Sequence, residues 1–244
     1  MTVVDGMAGS AMFEWCPELD RLYSDRTIIG RSGKEFDNKG ALSTPNNIRF
    51  LRSVMLDLGP ERTLEVGLAF GGSALAIASC HRELGHSQPS VHTAIDLAQS
   101  SYWDNVAQDA LERAGLSDLV RVIEQPSATA LATLYARGER YDLIYIDGSH
   151  QFEDVFVDFY FVGRMINTGG VVLFDDSTDP HIAKVLRFIR RNYKSAFEEI
   201  DLAKYLSADI GKIRRRVGRL MGRLQLTSFR KLRDASASLR LRPF

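Results

Sequence analysis

Five short apolar runs recur along the chain, at Thr63–Val66, Val91–Ile95, Val120–Ile123, Leu143–Ile146 and Gly170–Phe174. Each is strand-sized and bounded by turn formers, which suits a strand buried on both faces. Between them, at about 73–84, 103–114, 128–137 and 152–166, apolar residues return every three or four positions, the spacing of an amphipathic helix. Strands alternating with such helices predict a parallel sheet with right-handed crossovers. Upstream, Ile48, Phe50, Leu51, Val54, Met55 and Leu58 line one face of a helix that should end at Gly59-Pro60. Downstream, a helix over Pro180–Tyr193 leads to a sixth strand at Phe197–Leu202. Ala208–Arg214 fits either a seventh, antiparallel strand or the start of a basic helix whose apolar face would be Ile213, Val217, Leu220, Met221 and Leu224. The expected fold is α/β, a doubly wound, mostly parallel sheet of about seven strands flanked by helices.

This pattern divides the chain into an irregular N-terminal extension over 1–40, a central domain over 41–211 and a C-terminal segment over 212–244. Charge sharpens the last boundary. The whole chain balances 31 basic against 31 acidic residues, yet from Lys212 onward there are eleven Lys and Arg and one acid, Asp234. That segment carries +10 and the preceding body −10. A basic arm of this kind meets nucleic acid, an anionic membrane surface or the acidic body of another subunit, or it stays solvated. Arg214, Arg215, Arg216, Arg219 and Arg223, interleaved with apolar residues, would suit the first two. The hydrophobic share of 45% and charged share of 25% exclude a chain disordered throughout. Cys16 and Cys80 form no CxxC pair and read as reduced thiols, and neither a signal peptide nor a membrane span is expected, so the expected location is the cytoplasm, with peripheral membrane attachment left open.

Ligands of an open α/β sheet bind beyond the carboxyl ends of its strands, and here those ends are rich in glycine and acid. The first strand runs into Gly67-Leu68-Ala69-Phe70-Gly71-Gly72-Ser73, where backbone can approach a ligand and a helix start offers free N–H groups. The spacing is neither GxGxxG nor that of a P-loop, which weakens a nucleotide-phosphate reading. The second strand ends at Asp96, placed to accept hydrogen bonds from a ribose diol, and together with the glycine bend it favours an adenosine-containing cofactor. The fourth and fifth strands run into Asp147-Gly148-Ser149-His150 and Asp175-Asp176. Three acids at one sheet edge require either a hard divalent cation such as Mg²⁺ or raised pKa values, unless they merely cap turns. His150 stands where it serves as a general base or simply faces solvent at a helix start.

Taken together, Leu64-Glu65-Val66-Gly67 with Gly71-Gly72-Ser73, then Asp96, then Ile146-Asp147-Gly148-Ser149-His150, then Gly169-Gly170 and Asp175-Asp176 resemble the Rossmann-like S-adenosylmethionine-dependent methyltransferases, in the branch of catechol and macrocin-type O-methyltransferases. The resemblance spans about residues 41–203. It implies that Glu65, Gly67 and Ser73 hold the methionine end of the cofactor, Asp96 its ribose, and that Ser127 lies near the adenine. It also makes Asp147, Asp175 and Asp176 metal-ligand positions for Mg²⁺, with Asp147 and His150 catalytic. Catechol-type members carry a lysine base where this chain has His150, as sugar-modifying relatives do, which favours a saturated alcohol as acceptor. The activity implied is Mg²⁺-assisted O-methylation of a small-molecule hydroxyl by a homodimer. RNA methylation using the basic segment, and a non-catalytic cofactor-binding scaffold, stay open beside it.

Overall fold

A computed structural model describes residues 11–37, 41–205, 225–235 and 242. Helix α1 (Pro17–Ser24) and a hairpin of β1 (Thr27–Ile29) and β2 (Glu35–Asp37) come first. The extension expected to be irregular therefore holds regular elements, each too short for periodicity to reveal. Leu19 and Leu22 of α1, with Phe13 before it, are buried against Ala74, Leu75 and Ala78.

The remaining elements are α2 (Pro45–Leu58), β3 (Thr63–Val66), α3 (Gly72–Glu83), β4 (His92–Asp96), α4 (Val106–Arg113), β5 (Val120–Glu124), α5 (Ser127–Ala136), β6 (Tyr141–Ile146), α6 (Phe152–Met165), β7 (Ile166–Phe174), α7 (Pro180–Asn192), β8 (Phe197–Glu199) and β9 (Thr227–Lys231). The large sheet has seven strands in the order β5-β4-β3-β6-β7-β9-β8. Neighbours from β5 to β7 pair in parallel, and β9 pairs antiparallel with both β7 and β8. The order reverses beside β3, the first strand of the sheet, so a crevice opens between the carboxyl ends of β3 and its two neighbours.

The predicted doubly wound, mostly parallel sheet is thus the fold observed. Four details differ, the first being that the expected sixth strand stops at Glu199 and Leu202 instead begins a 3₁₀ turn. Helix α4 begins at Val106 rather than near 103, because Asp104 and Asn105 adopt left-handed φ of 50° and 57° and break the turn before it. Strand β7 starts at Ile166 rather than at Gly170, with a register shift against β6 between Tyr141 and Leu143. The antiparallel strand is Thr227–Lys231, inside the segment that charge alone assigns to a basic tail; Ser228, Phe229 and Lys231 are buried there. Both expectations for Ala208–Arg214, and the arginine-rich helix after it, lie outside the described residues.

Alternating positions on β6 and β7 separate the two faces of the sheet. Ile144, Ile146, Val172 and Phe174 pack with Phe159, Val162, Val185 and Ile189 of α6 and α7, while Leu143, Tyr145, Val171 and Leu173 pack with Leu51, Val54 and Met55 of α2. Helix α2 is well specified at both ends. Thr44 caps it by accepting from the Asn47 N–H, Pro45 occupies its first turn, and Gly59 closes it in the left-handed conformation. This fixes the first turn of α2 over the carboxyl end of β7. Among the described residues no helix is long and apolar enough to cross a membrane.

Candidate active site

The glycine bend after β3 is a steric necessity. Strands β3 and β6 are neighbours, and the Asp147 N–H donates to the Val66 carbonyl at 2.8 Å, so the two chain ends leave the sheet in contact. A Cβ on Gly67 would lie 2.0 Å from the Asp147 carbonyl oxygen, and its φ of +94° is one that side chains rarely adopt. Gly71, at φ +84°, meets Ala107 at the foot of α4 in the same way. The bend lets α3 start at Gly72 with Ser73 facing the crevice.

A cavity of about 380 Å³ occupies this crevice. Its walls include Gly67, Ser73, Asp147, His150, Asp175 and Asp176, all singled out from the sequence. They also include Leu42, Ser43, Thr44, Trp103 and Gln225, which were not. Gln225 arrives because its carbonyl accepts from the Ser177 N–H at 2.7 Å as the chain turns into β9. Ser43 and Thr44 arrive with the cap of α2. No motif marks these positions, although a Thr-Pro helix start is itself legible.

The acids of this rim are heavily engaged. Asp175, 3% exposed, accepts on Oδ1 from Asn47 Nδ2 and from the Asp176 N–H, both at 2.7 Å, and on Oδ2 from the Tyr145 hydroxyl. Asp147 Oδ2 accepts from the Ser43 hydroxyl at 2.7 Å, and Ser43 Oγ lies 3.1 Å from the Tyr145 hydroxyl. Burial, and then the charge of Asp175, push the Asp147 carboxyl well above the usual carboxylate range. Burial and the same two acids also raise the Tyr145 and Tyr23 phenols, and Tyr23 donates to the Ser43 carbonyl at 2.6 Å. Tyr145 was an available signal, since a hydroxyl inside an otherwise aliphatic buried run needs a partner.

Asp176 adopts a left-handed φ of 45° and turns its carboxylate away from Asp175, toward His150. His150 Nε2 stands 3.1 Å from Asp176 Oδ2 and Nδ1 3.8 Å from Asp179 Oδ2, with the ring half exposed over the cavity. Burial and Asp175 raise the Asp176 carboxyl, and His150 draws it back. The arrangement suits a base with an orienting acid behind it.

Three expected cofactor residues do not reach the cavity wall, and neither does Gly71, whose part is to shape the bend. Asp96 is buried, with Oδ2 accepting from the Leu68 and Ala69 N–H groups at 3.0 and 2.9 Å and Oδ1 from the Ala98 N–H at 2.8 Å. Its carboxylate braces the glycine bend. Glu65 is fully buried, with Oε1 at 3.1 Å from His92 Nε2 and Oε2 without a partner. Ser127 begins α5 beside the buried Asp158 carboxyl, which burial pushes up to about 7. Among the described residues, no group of three or more His, Cys, Asp or Glu is arranged to hold a metal ion. The three aspartates share a rim, where both oxygens of Asp175 and one of Asp147 accept from protein donors and Asp176 meets His150.

Residues 64–177 match a family described as a methyltransferase domain. The O-methyltransferase hkm8 of Aspergillus hancockii is 30% identical over 135 residues, 55% of this chain and 50% of that protein. The chain thus matches about half the length of this curated relative. A methyltransferase of Podospora anserina solved with SAH bound has a similar fold, with a TM-score of 0.60 and 15% identity over 91% of this chain and 88% of that one. The O-methyltransferase TomG of Streptomyces achromogenes, solved with SAM, gives a TM-score of 0.55 and 19% identity over 78% and 82% of the two chains.

Proposed function

We propose that this chain is a class I, Rossmann-like methyltransferase that transfers a methyl group from S-adenosylmethionine to a hydroxyl of a small molecule, a reading supported by the methyltransferase-domain match and the O-methyltransferase relative. The observation that carries the reading is the convergence on one cavity of the glycine bend and the His150–Asp176 pair. The first supplies a close-fitting backbone cradle for a cofactor, and the second a base beside it.

The residues present fit this cofactor. Gly67 and Ser73 line the cavity where a side chain at 67 could not be built, and Glu65 retains a buried oxygen with no donor. These three would hold the amino-acid end. Asp96 would act on the nucleoside end through the loop it braces, with Trp103 as an apolar wall. When bound, the cofactor supplies an electrophilic methyl on a sulfonium centre. His150 then removes the acceptor's hydroxyl proton at Nδ1, while its Nε2–H donates to Asp176, which orients the ring and stabilises the imidazolium. Ser43, Thr44 and Gln225 offer polar contacts to the rest of the acceptor, which suits a sugar or another polyhydroxylated natural product.

A magnesium ion does not fit the acids as they stand. Asp175 has both oxygens held by protein donors, Asp147 one, and Asp176 faces His150, so a cation would have to displace these partners to gather oxygen ligands from all three acids. No step here is routed through a metal.

Calorimetry with S-adenosylhomocysteine tests the cofactor, and transfer from methyl-labelled S-adenosylmethionine to panels of sugars, alcohols, phenols and RNA tests the acceptor. Binding with transfer to a polyol is the expected result. Labelled RNA would move the assignment to the nucleic-acid class, binding without any transfer would make the protein a scaffold, and no binding at all would remove the cofactor.

A further inference from the structure

Glu65 ends a line of side chains that the transfer step does not use. From the outside inward, His86 Nδ1 lies 2.8 Å from His81 Nδ1, and His81 Nε2 lies 2.8 Å from Thr63 Oγ1. Thr63 Oγ1 lies 2.9 Å from His92 Nδ1, and His92 Nε2 lies 3.1 Å from Glu65 Oε1. Thr63, His81, His92 and Glu65 have no exposed surface, while His86, after the end of α3, is partly exposed.

Counting protons gives the line a direction. A neutral imidazole has one donor and one acceptor nitrogen, and a hydroxyl has one proton to give. Burial, and then His92 and His86, push the His81 pKa down to about 3, so its ring is neutral. An ionised Glu65 only accepts, so His92 carries its proton on Nε2 and its bare Nδ1 accepts from Thr63. Thr63, having given its proton, accepts from His81 Nε2–H. His81 Nδ1 is then bare and accepts from His86 Nδ1–H. All bonds of the line point inward, and Glu65 Oε2 at its end is left without a partner.

We infer that His92, Thr63 and His81 are positioning residues: they hold the Glu65 side chain in one orientation, leaving Oε2 for the cationic amino group of the cofactor. This rests on the cofactor reading above. A buried carboxylate with an orphan oxygen is costly alone and favourable once a cation meets it, so the line serves binding rather than stability.

The full-length protein labelled with ¹⁵N in its imidazoles reports the tautomers directly, without a substitution. His81 and His92 should carry their protons on Nε2 and His86 on Nδ1. Binding is then compared for two ligands sharing the nucleoside, S-adenosylhomocysteine and 5′-methylthioadenosine, of which the second lacks the amino-acid end. His92→Phe should weaken the first about tenfold or more and leave the second within about twofold. His92→Gln, which retains a donor toward Glu65, should recover most of the loss. A proton on His92 Nδ1, or equal weakening of both ligands, overturns the proposal. Wild-type protein that binds neither ligand removes the cofactor reading itself and with it the purpose given to Glu65, whereas the tautomers still report the direction of the line.

Discussion

On the β3–β4 side of the cavity, backbone amides hold the acid, whereas on the β6–β7 side the work falls to side chains from distant parts of the chain. Asp96 accepts from three backbone N–H groups within the loops it joins, and the glycines beside it are dictated by contact between strand ends. Asp147 and Asp175 instead depend on Ser43, Asn47 and Tyr145, two of them about a hundred residues or more away in sequence. Backbone geometry is rigid once the sheet forms, while a side-chain network survives only if every member is satisfied. The first side is therefore suited to a constant ligand such as a cofactor, and the second to a variable acceptor.

The largest expected effect comes from breaking the rigid side. Gly67→Ala places a methyl 2.0 Å from the Asp147 carbonyl at a φ of +94°, and neither backbone can yield without shifting β3 against β6. Loss of about 3 kcal/mol of stability and of measurable S-adenosylhomocysteine binding is expected, checked by thermal melts and calorimetry. Normal affinity in this variant would mean that the bend is not the cofactor's cradle. His150→Gln addresses the other side alone. Its ring is half exposed and contacts acids, not core, so stability and cofactor affinity should hold while kcat falls about 10²- to 10⁴-fold. Unchanged turnover would shift the base elsewhere.

This division also decides what the sequence could reveal. Strand runs and crossover helices were legible because burial on both faces writes a continuous apolar run, as in Ile144–Ile146 and Val171–Phe174. Gly67 and Asp147 were legible because each directly follows a strand end, and His150 because it lies three residues beyond Asp147. Ser43, Asn47 and Gln225 were not, since their role arises from where α2 and β9 dock, a long-range outcome with no local pattern, and neither was Trp103 in the turn before α4. The donors that engage Asp147 and Asp175 are hidden for the same reason, since they meet these acids only once the chain is folded. Strand β9 was hidden by its composition, where Arg230 and Lys231 read as tail although the strand inserts beside β7.

Acids away from the glycine bend should also destabilise as pH rises. Burial raises the Asp158 carboxyl on α6 to about 7 in the folded chain, against an ordinary aspartate value of 3.8. The folded state therefore binds more protons than the unfolded one between about pH 4 and pH 7, so the stability contribution is full below that window and declines through it. Asp158→Asn should flatten this decline and raise stability at pH 8 by roughly 2 kcal/mol, read from denaturant melts across the pH range. An unaltered slope would place the proton on another group.

The smallest expected effect is that of metal removal, and it is the sharpest test of how the acidic side works. A carboxylate already accepting from two or three donors gains little from a cation, because those hydrogen bonds must rearrange before an octahedral shell can form. For Asp175 the donors include a first-turn asparagine of α2 and a buried tyrosine, so freeing it would also disturb the packing of α2 on the sheet. Turnover should change less than about twofold with EDTA, and Mn²⁺ should show no tight site by calorimetry. Asn47→Ala, which removes one of those donors, is the variant in which a metal site would first emerge, at a cost of about 1–3 kcal/mol in stability. Tight Mn²⁺ binding by the unaltered protein would show instead that Ser43, Asn47 and Tyr145 yield to a cation, and the acidic side would then be adaptable at its acids as well as at its acceptor wall.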